Sequence, residues 1–146
     1  MKTKFPILLI ARIYIIISGL ALLSVSIMAM ISPQAVMDLV QVQLTNTDAY
    51  SSIRGVYGGV GLSIFISLIL LIKKHPSQAL AFLALLWGFY ALSRIMTIFI
   101  EGELGSFGNQ WLYIESILFL LAIGLYTAIS KIPISKNTVT PVSVFR

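Results

Sequence analysis

Four ionisable side chains interrupt otherwise apolar runs of this sequence: Arg12, Arg54, Arg94 and Glu115. At membrane depth such groups pair with one another, hold a ligand or relay protons. Aromatic residues accompany three of them. Trp87, Tyr90 and Arg94 follow at i, i+3 and i+7, Arg54 and Tyr57 are three apart, and Trp111 and Glu115 are four apart. Helical spacing of this kind puts each set on one face. Facing inward, they enclose a polar pocket with aromatic walls.

Little other chemistry is available. The chain has no cysteine and one histidine, His75. Disulfides, thiolate metal sites and bis-histidine haem are therefore excluded. No nucleophile with a histidine base and no phosphate loop occurs. Glu101 and Glu103 are close in sequence but lie in a glycine-rich stretch. His75 sits between Lys74 and Pro76 and reads as a solvated loop residue. The chain reads as non-enzymatic, with no cofactor and no metal.

The elements that must carry these residues follow from composition. Of 146 residues, 58% are hydrophobic and 10% charged, with a mean hydropathy of +0.98. A soluble domain carries about 25% charged residues, so too little polar material remains for a soluble surface. Four continuous apolar runs, over residues 7–31, 52–72, 78–100 and 111–130, approach or exceed the roughly 20 residues that a spanning helix needs. Their continuity argues against a barrel. The first run is about twice as long as a signal-peptide core and lacks an A-x-A site, so it is read as a span. The expected fold class is all-α: an integral membrane four-helix antiparallel bundle in one domain, residues 1–131, with a short cytoplasmic tail at 132–146.

Charge sets the orientation. Lys2, Lys4, Lys73, Lys74, Lys131, Lys136 and Arg146 flank one side, whereas Asp38, Asp48, Glu101 and Glu103 fall in the two loops of the other. By the positive-inside rule both termini are cytoplasmic. The net charge of +5 then reflects topology and a mild attraction to anionic lipid rather than nucleic-acid binding. In the first outer loop, Ser32-Pro33 resembles a helix start, with Val36, Leu39, Val40 and Gln43 at helical spacing. A short amphipathic interfacial helix is expected there.

Depth decides which charges can meet. At 1.5 Å per residue, Arg54 lies about 3–5 Å inside its span, Arg94 about 9 Å and Glu115 about 6 Å. These three share the outer half; Arg12 lies in the inner half and is expected to snorkel to headgroups. The predicted ligand-binding set is Arg54, Arg94, Glu115, Tyr57, Tyr90, Trp87 and Trp111. Three uses remain open: a structural salt bridge in a membrane scaffold, a site for a small anionic amphiphile or lipid headgroup, and a proton-coupled transporter using Glu115. Span two also repeats small residues every fourth position: Ser51, Gly55, Gly59, Ser63 and Ser67. Gly55, Gly58, Gly59 and Ser63 are the predicted helix-packing residues, against span one or, in a homodimer, a second copy.

The segment Arg54-Gly55-Val56-Tyr57-Gly58-Gly59, with Arg94, Gly102 and Glu115, resembles a bacterial family of four-helix membrane proteins known only as a domain of unknown function, the 4345 family. The resemblance runs from about Phe5 to Ser130. It implies four helices in the inner (plasma) membrane and the same trio of charges. It brings no activity. Where that family often has an aspartate beside the glycine after the third span, this chain has Glu101.

Overall fold

The computed structural model describes residues 4–131, all main elements being helical. They are α1 (Lys4–Ile31), α2 (Pro33–Asp38), α3 (Thr47–Ile53), a π-helical segment (Arg54–Gly59), α4 (Val60–Lys74), α5 (Pro76–Ile100) and α6 (Ser106–Ser130). α3, the π segment and α4 run on as one helix, Thr47–Lys74. Four helices are long and apolar enough to cross a membrane: Pro6–Ile31, Thr47–Lys74, Pro76–Ile100 and Ser106–Ser130.

Local chemistry sets the ends. Pro76 is the first residue of α5, so the α4–α5 connection shrinks to His75. Proline suits that place because its missing N–H is unbonded there anyway. Thr47–Lys74 begins five residues before the expected position 52, because the Asn46 side chain accepts the Ala49 N–H at 2.8 Å and caps the first turn. α6 likewise starts at Ser106, ahead of the expected position 111, directly after Gly105. At the end of α5, Gly102 has φ +108 and its N–H reaches the Thr97 carbonyl at 3.2 Å. That left-handed step turns the chain out of the helix.

The first loop differs from its expected form. α2 stops at Asp38, Ser32 makes no side-chain cap, and Val36 and Met37 are buried. They pack with Ala29 over the end of α1, while Leu39 and Val40 lie exposed beyond the helix. Gln34 prevents further extension. Its amide donates to Asp38 at 2.7 Å and to the Val42 carbonyl at 2.9 Å, and its oxygen accepts the Leu44 N–H at 2.9 Å. The loop is thereby folded onto itself.

The helices form two pairs. α1 packs on α4 and the π segment, and α5 packs most extensively on α6. The core that joins the pairs is built from Ala11, Tyr14 and Ile15 of α1, Leu68 and Ile72 of α4, Leu80, Leu83 and Trp87 of α5, and Ala122 and Ile129 of α6. Most of these residues lie toward the end that carries Lys73 and Lys74. Toward the other end, Tyr57 and Tyr90 stay about two-fifths exposed, at 39% and 42%, and the π segment makes no substantial packing with α5 or α6. The bundle is closed at one end and splayed at the other.

Close approach within the first pair falls on two glycines. A Cβ on Gly58 would stand 2.6 Å from Met30 Sδ, and one on Gly61 would overlap Ser26 Oγ. Gly55 has open space around it and Ser63 is exposed, bonding only its own helix at the Gly59 carbonyl. The expected packing stripe therefore shifts, with Gly55 and Ser63 off the α1 face. The π segment is the reason: its wider turn advances the helix face, so a strict four-residue repeat no longer follows one side. Replacing Gly61 by leucine should lower thermal stability in detergent by about 1–3 kcal/mol through overpacking. Gly55→Ala should leave the unfolding midpoint unchanged in the same assay.

Candidate functional site

The strongest polar contact joins α5 to α6. Arg94 Nε donates to Glu115 Oε2 at 2.6 Å and Arg94 Nη2 donates to Glu115 Oε1 at 2.9 Å. Both carboxylate oxygens are thus engaged in a two-pronged, charge-assisted pair. Glu115 is 3% exposed, Arg94 23%. Among the described residues it is the one ion pair. Small residues bring the two helices together below it: a Cβ on Gly88 would lie 2.9 Å from the Phe119 ring. Arg94 keeps Nη1 outside the pair and part of its surface open, so the guanidinium retains donors for a further acceptor.

The aromatic residues divide around this pair. Trp87 is buried at 4% exposure, and its ring centroid lies 6.1 Å from that of Tyr90, tilted by 49°. Tyr90 stands one turn before Arg94 on α5 and, like Tyr57, stays partly exposed. Tyr57, from the π segment, borders the same splayed end. Trp111 sits one turn from Glu115, with its ring 6.1 Å from Phe107. Beneath them, the Tyr14 hydroxyl donates to the Leu118 carbonyl at 2.8 Å and ties α1 to α6.

Arg54 does something else. Its Nε donates to the Met30 carbonyl at 3.2 Å, at the end of α1. Arg12 mirrors it, donating from Nη2 to the Lys73 carbonyl at 3.3 Å, at the end of α4. Each helix of the pair sends one arginine to the carboxyl end of the other. The last carbonyls of a helix lack intrahelical donors and carry partial negative charge, so both arginines satisfy groups that lipid cannot. Equal depth had grouped Arg54 with Arg94 and Glu115; Arg54 instead turns toward α1. Arg12 likewise binds a helix end, where the sequence had suggested snorkelling alone.

Sequence reasoning did not anticipate a second feature. On the face of the α5–α6 pair lies an apolar groove of about 920 Å³, lined by Ala84, Gly88, Leu92, Phe119, Ile123 and Tyr126 among others. The Ala84–Gly88–Ala91 face of span three was its partial signature. No group of three or more His, Cys, Asp or Glu that could hold a metal occurs among the described residues.

All-helical architecture and four helices able to cross a bilayer place the chain among multi-pass membrane proteins. The family model described as Domain of unknown function (DUF4345) matches residues 10–126, and the chain belongs to that family. The match takes in both helix-capping arginines, the π segment and the Arg94–Glu115 pair. No curated protein and no solved structure matches the chain.

Arg94→Gln leaves a buried carboxylate without its partner, and should cost about 3–5 kcal/mol in reversible unfolding. The double variant Arg94→Gln/Glu115→Gln should recover much of that loss, giving a clear coupling energy in a double-mutant cycle. Arg54→Gln removes one interhelical bond and should cost about 1 kcal/mol, adding independently to either change.

Proposed function

We propose that this protein is a non-enzymatic membrane accessory protein that holds a small anionic or carbonyl-bearing amphiphile beside Arg94. One observation carries the reading. An arginine at membrane depth is held by a buried carboxylate in two-pronged geometry, yet remains 23% exposed at the splayed end of the bundle. Glu115 fixes the guanidinium plane, and Nη1 is left for the ligand. Tyr57 and Tyr90 supply walls and hydroxyls; Trp87 closes the floor. Trp111 flanks the entrance beside Phe107. Arg54 supports the site indirectly by anchoring the π segment that carries Tyr57.

The charge distribution supports an orientation with both termini in the cytoplasm and the site in the outer leaflet of a bacterial plasma membrane. Lys73, Lys74 and Lys131 follow or precede helices at one end, and Asp38, Asp48, Glu101 and Glu103 lie at the other. Four spans and two tightly paired charges also suit a purely structural scaffold, favoured by the engagement of both Glu115 oxygens. The same engagement speaks against Glu115 as a proton carrier, because both of its oxygens are already bonded to Arg94.

Native mass spectrometry of the protein released from mild detergent separates these uses. A discrete adduct is expected on the wild type and absent from the folded Arg94→Gln/Glu115→Gln variant. A bare wild-type protein, with the variant losing only stability, would leave the pair as a structural lock. Proton-coupled uptake into liposomes that Glu115→Gln abolishes would establish the transporter instead.

A further inference from the structure

The end of the bundle opposite the Arg94 site carries a separate concentration of charge. Arg12 Nη2 lies 3.3 Å from the Lys73 carbonyl, so its guanidinium sits in the last turn of α4. Lys73 and Lys74 extend from that same turn and are exposed. The next residue, His75, starts α5 without a side-chain cap, and the 25-residue α5 presents its partly positive end there. Arg12 Nε is buried and without a partner. Among the described residues no carboxylate lies at this end. Asp38, Asp48, Glu101 and Glu103 belong to the opposite loops, and Glu115 is bonded to Arg94.

Immediately beside these cations the helix flanks turn apolar. Leu9, Ile13 and Ile16 of α1 and Ile69 and Leu70 of α4 are exposed, Leu70 at 72%. A cationic end flush with apolar flanks complements one kind of molecule: an anionic headgroup with acyl chains attached. Arginine suits a phosphate particularly, because its fork of donors matches phosphate oxygens. Lysines add charge at headgroup level.

We propose that Arg12, Lys73 and Lys74 form a binding site for the phosphate of an anionic phospholipid between the first turns of α1, the end of α4 and the start of α5. The acyl chains lie along the exposed flanks of α1 and α4. The site is separate from the Arg94 pair and does not depend on what Arg94 binds. It also accounts for Arg12 more fully than a helix-end bond does, since that bond uses one of five guanidinium donors.

The test is native mass spectrometry of the purified protein titrated with phosphatidylglycerol or with phosphatidylcholine of the same acyl chains. One phosphatidylglycerol per chain should bind at least about tenfold more tightly than phosphatidylcholine. Lys73→Gln and Lys74→Gln, both surface changes, should each weaken it about fivefold. Arg12→Gln, checked for retained helicity, should weaken it further, and Arg94→Gln/Glu115→Gln should leave it unchanged. Equal binding of the two lipids, a statistical ladder of phosphatidylglycerol adducts, or insensitivity to Lys73→Gln/Lys74→Gln would overturn the proposal.

Discussion

A polar group inside a bilayer has no water to bond, so its partner must come from the protein. That constraint governs most of this molecule. Backbone groups meet it through long helices. Several serine and threonine hydroxyls meet it by returning to their own helix, as Ser67 does to the Ser63 carbonyl at 2.8 Å and Thr97 to the Ser93 carbonyl at 3.0 Å, whereas the buried Ser18 hydroxyl and Trp87 Nε1 have no partner. Charged groups cannot be satisfied so locally. Glu115 reaches across to α5, Arg54 to α1 and Arg12 to α4. These three contacts are the interhelical polar bonds made by the charged residues within the spans.

The contacts differ in what they ask of the fold. Arg12 and Arg54 each serve carbonyls that exist at any helix terminus, so they tie α1 and α4 together at both ends. Gly58 and Gly61 let the same pair approach between those ends. The Arg94–Glu115 pair has no such generic partner. It demands that α5 and α6 hold one rotational setting, and their extensive packing about Gly88 and Phe119 provides it. Two rigid pairs result, joined by a core concentrated at one end. The separation at the other end leaves Arg94 partly exposed rather than sealed.

The π segment coincides with Arg54–Gly59, the stretch on which the family resemblance chiefly rested. Single π turns are rare and tend to occur at functional positions. Here the segment carries Arg54, whose Nε reaches the Met30 carbonyl, together with the partly exposed Tyr57. Gly58, near its end, leaves the wide turn free of Cβ crowding where Met30 of α1 comes closest.

Composition alone determined that the helices must be membrane-spanning, because so few charged residues cannot make a soluble surface. Proline and lysine positions located the tight α4–α5 turn, and depth with helical phase brought Arg94 to Glu115. Those properties are local: they depend on residue type and on counting along one helix. Only the tertiary structure decided the partner of Arg54, the identity of the close-packing glycines and the burial of α2. Each of these depends on how a helix is rotated against its neighbour. A change of one residue in register turns a helix face by about 100°, and the π segment makes such a change without any mark in the hydrophobic pattern. Past such a segment, as at Arg54, a partner across the bundle therefore cannot be read from spacing along the chain that carries it.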